Sequence, residues 1–84
     1  MLYYLIICRS LTYAQRTAAA LGRAGISAYL SRPPRQIAGE GCSHCVKIRQ
    51  RDLEDALAVL RRADLFPKRV FLAQDGGGYR EVAL

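Results

Sequence analysis

The sequence predicts an α+β fold: a ferredoxin-like βαββαβ sandwich, two helices on one face of an antiparallel sheet, with room for an extra C-terminal edge strand. Three observations predict it. An unbroken apolar run covers residues 2–8. Two apolar sets recur at helical spacing, one after Ser10 and one after Asp52. Short alternating stretches flank them in the order strand, helix, strand, strand, helix, strand. Right-handed crossovers then put both helices on the same face. At 84 residues the chain is too short for two independent cores, so residues 1–84 read as one domain.

Residues 2–8 (LYYLIIC) carry no charge and no alternation, the pattern of a strand buried on both faces at the centre of a sheet. Ser10 stands where a helix N-cap is needed. Leu11, Ala14, Ala18 and Leu21 follow on one helical face, and Gly22 and Gly25 supply the stop signal. Residues 26–30 (ISAYL) alternate as a second strand, which Pro33-Pro34 terminates. Residues 31–44 read as a loop. It is long for a hairpin connection, and such loops are often functional.

Alternation resumes at Val46 and Ile48. Leu53, Ala56, Leu57 and Leu60 then form an i, i+3, i+4, i+7 set, the clearest helix in the chain. Acidic Asp52, Glu54 and Asp55 suit the positive end of its dipole, and Arg61 and Arg62 the negative end. Pro67 breaks the chain, residues 69–73 read as a fourth strand, and the Asp75-Gly76-Gly77-Gly78 turn leads to an edge strand from Tyr79 to Leu84.

Composition narrows the class. Hydrophobic residues make up 51% and charged residues 24%, which is globular and argues against disorder. Net charge is +6, and eleven of the thirteen cations are Arg. Such a balance suits anionic partners without selecting among them. The first apolar run lacks a positive flank and is too short to span a bilayer, so neither a signal peptide nor a membrane segment is expected. Three cysteines, an odd number, do not suggest a disulfide framework, and the cytoplasm is the expected compartment.

The chemistry concentrates at Gly41-Cys42-Ser43-His44-Cys45, which holds two cysteines and the only histidine. Four readings compete. Structural zinc needs four ligands and one C-x-x-C supplies two, so no metal site is expected within one chain. A dithiol redox pair matches the spacing, but thioredoxin-type motifs open a helix and this one enters a strand. A single reactive thiol at Cys42 would draw thiolate character from the helix start at Arg9-Ser10 and from the cations Arg32, Arg35 and Lys47, a setting for a carrier of persulfide or selenium. In the fourth reading both cysteines simply pack, and Cys45 fits that description better than Cys42. The βαββαβ order places Arg9, Ser10 and Leu11 near some part of the residue 31–44 loop.

Several stretches together resemble the small selenium/sulfur carrier-like family. They are Tyr3-Tyr4-Leu5-Ile6 with Arg9-Ser10, then Leu21 with Ala24-Gly25-Ile26, then Pro34-Arg35-x-Ile37. Gly41-Cys42-Ser43, Val46-Lys47-Ile48 and residues 52–57 complete the set. The resemblance implies one carrier cysteine at Cys42, with Pro34 and Arg35 matching the family's Pro-Arg pair. Ser43 stands where many members carry Gly. Cys45 stands where members often have a small residue, so no family role passes to it.

The expected function is therefore sulfur or selenium relay, with Cys42 as persulfide acceptor. Pro34, Arg35, Gly41, Ser43, Arg9 and Ser10 support it, with His44 and Cys45 as lesser candidates. The chain reads as a carrier or accessory protein rather than a turnover enzyme, with no cofactor. Its partners are donor and acceptor proteins, with a homodimer compatible. A non-enzymatic interaction module is the alternative. Nucleic-acid binding is the weaker one: Tyr3, Tyr4 and Tyr29 offer aromatic rings, but residues 45–49 lack the aromatic motif of RNA-recognition domains. Those tyrosines read instead as core or dimer contacts. His44 reads as a proton relay or a surface residue, and the triple-glycine segment as a hairpin turn rather than a phosphate loop.

Overall fold

A computed structural model describes residues 2–38 and 44–83. Among these, five strands form one antiparallel sheet: β1 (Tyr3–Cys8), β2 (Ala28–Ser31), β3 (His44–Arg49), β4 (Arg69–Ala73) and β5 (Tyr79–Glu81). Three helices join them: α1 (Leu11–Arg23), α2 (Arg35–Ala38) and α3 (Leu53–Arg62), the last entered through a 3₁₀ turn at Gln50–Asp52. The strand order is β2-β3-β1-β4-β5.

β1 is the middle strand, as its apolar run predicts. It pairs with β3 on one side (Ile6↔Val46, Cys8↔His44) and with β4 on the other (Ile6↔Val70). Leu5, Ile6, Ile7 and Cys8 are each at most 3% exposed, so both faces of the strand are covered. β2 pairs antiparallel to β3 and so runs parallel to β1. By the same logic β4 runs parallel to β3, with β1 between them.

One face of the sheet carries the main core. Ile6, Cys8, Val46, Ile48 and Val70 meet Ala14, Ala20 and Leu21 from α1 and Ala56 and Leu60 from α3. Each large aliphatic chain buried here stabilises the fold by about 1.5–3 kcal/mol. On the opposite face Leu5, Ile7, Cys45 and Phe71 form a second cluster, flanked by Tyr3, Ile37 and Tyr79. Of the helices described, only α2 contributes to it, through Ile37.

The two long helices end alike. In α1, Gly25 adopts φ +83°, and the N–H groups of Gly25 and Ile26 donate to the carbonyls of Gly22 and Leu21. In α3, Asp64 adopts φ 59°, and the N–H groups of Asp64 and Leu65 donate to Arg61 and Leu60. Both are Schellman caps, and the apolar residue after each, Ile26 or Leu65, drops into the core.

This geometry revises some predicted boundaries. Ile26 belongs to the cap of α1, so β2 begins only at Ala28. Residues 31–44 contain one helical turn that loop reasoning omits, started by Pro34, whose carbonyl accepts from Ile37 N–H at 3.0 Å. β5 stops at Glu81 rather than running to residue 84. Among the described residues no helix is long and apolar enough to cross a membrane.

Candidate functional site

The predicted centre, Gly41-Cys42-Ser43, lies outside the described residues. The residues around it are described, and they place the mouth of the loop. The chain leaves β2 at Ser31, which registers with Cys45, and re-enters at His44, which registers with Cys8. Ser31 and His44 therefore both lie at the end of the sheet where β1 ends and α1 begins. Ser10 follows Cys8 by two residues, so the expected proximity of the α1 start to the loop is met at the His44 end.

Ser10 caps α1. Its extended backbone (φ −156°, ψ 165°) turns the hydroxyl back to accept from Tyr13 N–H at 3.1 Å, and its carbonyl accepts from Ala14 N–H at 3.0 Å. The first turn of α1 holds no acidic side chain, so no carboxylate there neutralises the positive end of the helix. Arg9 adds a cation just before the cap, its guanidinium 4.6 Å from the centre of the Tyr13 ring.

On the other limb of the loop, Pro34 opens α2, and Ile37 anchors that turn on the cluster holding Cys45. Arg35 is exposed to solvent. The structure thus puts Arg9, Ser10, Pro34 and Arg35 on the elements that frame the loop.

The two described cysteines are both interior. Cys45 is 0% exposed, facing the second cluster beside Ile7. Burial pushes its thiol pKa up, and the Ser31 hydroxyl beside it works the other way. Cys8 is 1% exposed on the helix-bearing face, where its Sγ donates to Thr17 Oγ1 and to the Ile6 carbonyl, each at 3.8 Å. Burial raises its pKa as well. Both are protonated thiols at neutral pH, poor nucleophiles and poor metal ligands. The packing reading of Cys45 accords with this setting.

His44 is partly buried at the first position of β3, and its Nδ1 is enclosed without a hydrogen-bond partner among the described residues. Among those residues no three His, Cys, Asp or Glu side chains gather as a metal-ligand set.

A family model described as "Putative Se/S carrier protein-like" matches residues 3–72. The chain belongs to the Se/S carrier-like family. The matched stretch runs from β1 into β4 and includes the whole loop that carries Cys42; β5 lies beyond it. No curated protein and no solved structure gives a match. Two residues help build the Se/S carrier-like frame: Ser31, which adjoins the Cys45 thiol and for which the sequence offers no signal, and Ile37, which holds α2 to the sheet. The Pro34-Arg35-x-Ile37 pattern contained the second signal, an apolar residue one turn after a proline.

Proposed function

We propose that this Se/S carrier-like chain, residues 1–84 as one domain, relays sulfur or selenium through Cys42. Family membership across residues 3–72 carries the reading. The interior placement of the other two cysteines supports it, since both are held as buried thiols. In the relay, the Cys42 thiolate attacks the outer sulfur of a donor persulfide. The donor's S–S bond breaks, its thiolate leaves with the electron pair, and a persulfide forms on Cys42, with no net oxidation. An acceptor thiolate or other nucleophile takes the sulfur by the same exchange.

The uncompensated positive end of α1, with Arg9 before it and Ser10 capping it, favours a thiolate or persulfide anion nearby. Arg35 supplies a second cation, Pro34 sets the turn that presents it, and the small residues Gly41 and Ser43 flank Cys42 in the sequence. The strand order β2-β3-β1-β4, with both crossovers joining parallel strands, supports a ferredoxin-like arrangement for the domain. The partners are donor and acceptor proteins, reached in the cytoplasm.

Intact mass spectrometry tests the relay. Reduced protein is incubated with a cysteine desulfurase and cysteine. A sulfur adduct is expected on the native chain and on Cys8→Ala and Cys45→Ala, and none on Cys42→Ala. An adduct that persists in Cys42→Ala ends the proposal.

A further inference from the structure

The register divides the tyrosines that the sequence leaves together. Tyr4 faces the helices and packs on the main core, whereas Tyr3 and Tyr29 share the opposite face. Tyr29, at 64% exposed, is no core residue. It registers with Lys47, which registers in turn with Leu5 of β1. Tyr3 registers with Arg49.

The Lys47 ammonium sits 4.1 Å from the centre of the Tyr3 ring, and Arg49 is held by a 2.9 Å hydrogen bond to Ser27 Oγ. Leu2, Tyr3, Tyr29, Lys47, Ile48 and Arg49 line an open groove of about 470 Å³, and both charged residues in that lining are cations. A neighbouring depression continues the track past Arg49 to Gln50 and Arg51.

We infer that this groove binds single-stranded nucleic acid, with a base stacked on Tyr29 and the backbone phosphates following Lys47, Arg49 and Arg51. Charge selects the occupant. A second copy of a chain with net charge +6 would bring like charge against Lys47 and Arg49, whereas a polyanion is complementary to them. An exposed ring beside a line of cations is the pairing that single strands use, because every base has a face to stack and every nucleotide a phosphate to neutralise. The groove is open and draws its lining from β1, β2 and β3, so it crosses three strands. A membrane surface is the less suitable partner. Of the exposed large hydrophobic residues described, only Tyr29 lies in the groove, whereas Leu11, Leu30 and Phe66 lie outside it, so the groove offers a bilayer little apolar surface to bury. None of the lining residues comes from the loop that carries Cys42, and the inference does not depend on the relay.

Fluorescence anisotropy with a short labelled single-stranded RNA tests it on the intact chain. The native protein is expected to bind with affinity that falls as salt rises. Tyr29→Ala should weaken binding at least about fivefold, the lower bound of one lost base stack. Tyr29→Phe, which keeps the ring, should restore it. Lys47→Ala should weaken binding and flatten the slope of log affinity against log salt by about 0.7, one phosphate contact on a single strand. Arg62→Ala, an equal charge loss at the end of α3, should do neither. Circular dichroism confirms that each variant is folded. The inference is overturned if Tyr29→Ala binds as the native chain does, or if Arg62→Ala weakens binding as much as Lys47→Ala. It is equally overturned if duplex RNA binds as tightly as the single strand, or if anionic vesicles bind and RNA does not.

Discussion

Cys8 and Cys45 stand on adjacent strands one register step apart and face opposite sides of the sheet. The strand pleat keeps their side chains from meeting, so no disulfide joins them. Each thiol answers to its own half of the core.

Both thiols should therefore resist alkylation while the fold is intact. In native buffer iodoacetamide is expected to leave Cys8 and Cys45 unmodified, and in urea to label both. Peptide mass mapping after timed quenching gives the comparison. Native labelling of Cys45 at the rate of a free thiol would show that its burial is not what the geometry describes.

The same burial links stability to alkaline pH. Each folded thiol has a raised pKa, chiefly from burial, against about 8.5 in the unfolded chain. The unfolded state then loses its protons first as pH rises. The stabilisation is complete below the unfolded value and is lost progressively above it, until pH passes the folded value. Each thiol should contribute a slope of about 1.4 kcal/mol per pH unit in that window. Urea unfolding from neutral to alkaline pH should show the decline, and Cys8→Ala with Cys45→Ala should flatten it. An unchanged slope in the double variant would exclude these thiols as its source.

The paired helix caps make opposite forecasts. Gly25→Ala places a side chain in the left-handed region, where no neighbour lies within 4 Å of the new Cβ, so the cost is conformational alone. A loss of about 1–2 kcal/mol is expected. Asp64→Gly relieves the same region at the end of α3 and should stabilise by up to about 1 kcal/mol. In a domain of this size each kcal/mol moves Tm by about 4–8 °C, which calorimetry resolves. If both variants shift Tm in the same direction, the equivalence of the two caps is refuted.

The core strand and the long helices were readable because their signals are local. Seven uncharged residues announce β1, and the Leu53–Leu60 spacing announces α3. The α2 turn was not readable, since four residues show no period, and its stability comes from Ile37 docking on a distant cluster. Alternation assigns Ile26 to the strand, because alternation cannot distinguish a strand residue from the apolar plug of a Schellman cap. The tyrosines show the same limit. Which of Tyr3, Tyr4 and Tyr29 share a face depends on the register of β3 against both β1 and β2, a long-range property. For the candidate site, sequence singled out the loop and its frame, while the interior character of Cys8 and Cys45 depends on strand pairing.

The middle position of β1 also sets a problem of timing. Its partners are residues 44–49 and 69–73, so during synthesis the most apolar and least charged segment emerges well before either neighbour. Until β4 arrives, one edge of β1 presents unpaired backbone groups between uncharged side chains, the features that drive strand-to-strand association between chains. Sheet closure here waits on contacts distant in sequence, which are slow to form. The strand on which the whole sheet depends is the first to be made and among the last to be enclosed, so yield from the ribosome should be limited by how well residues 2–8 are shielded in the interval.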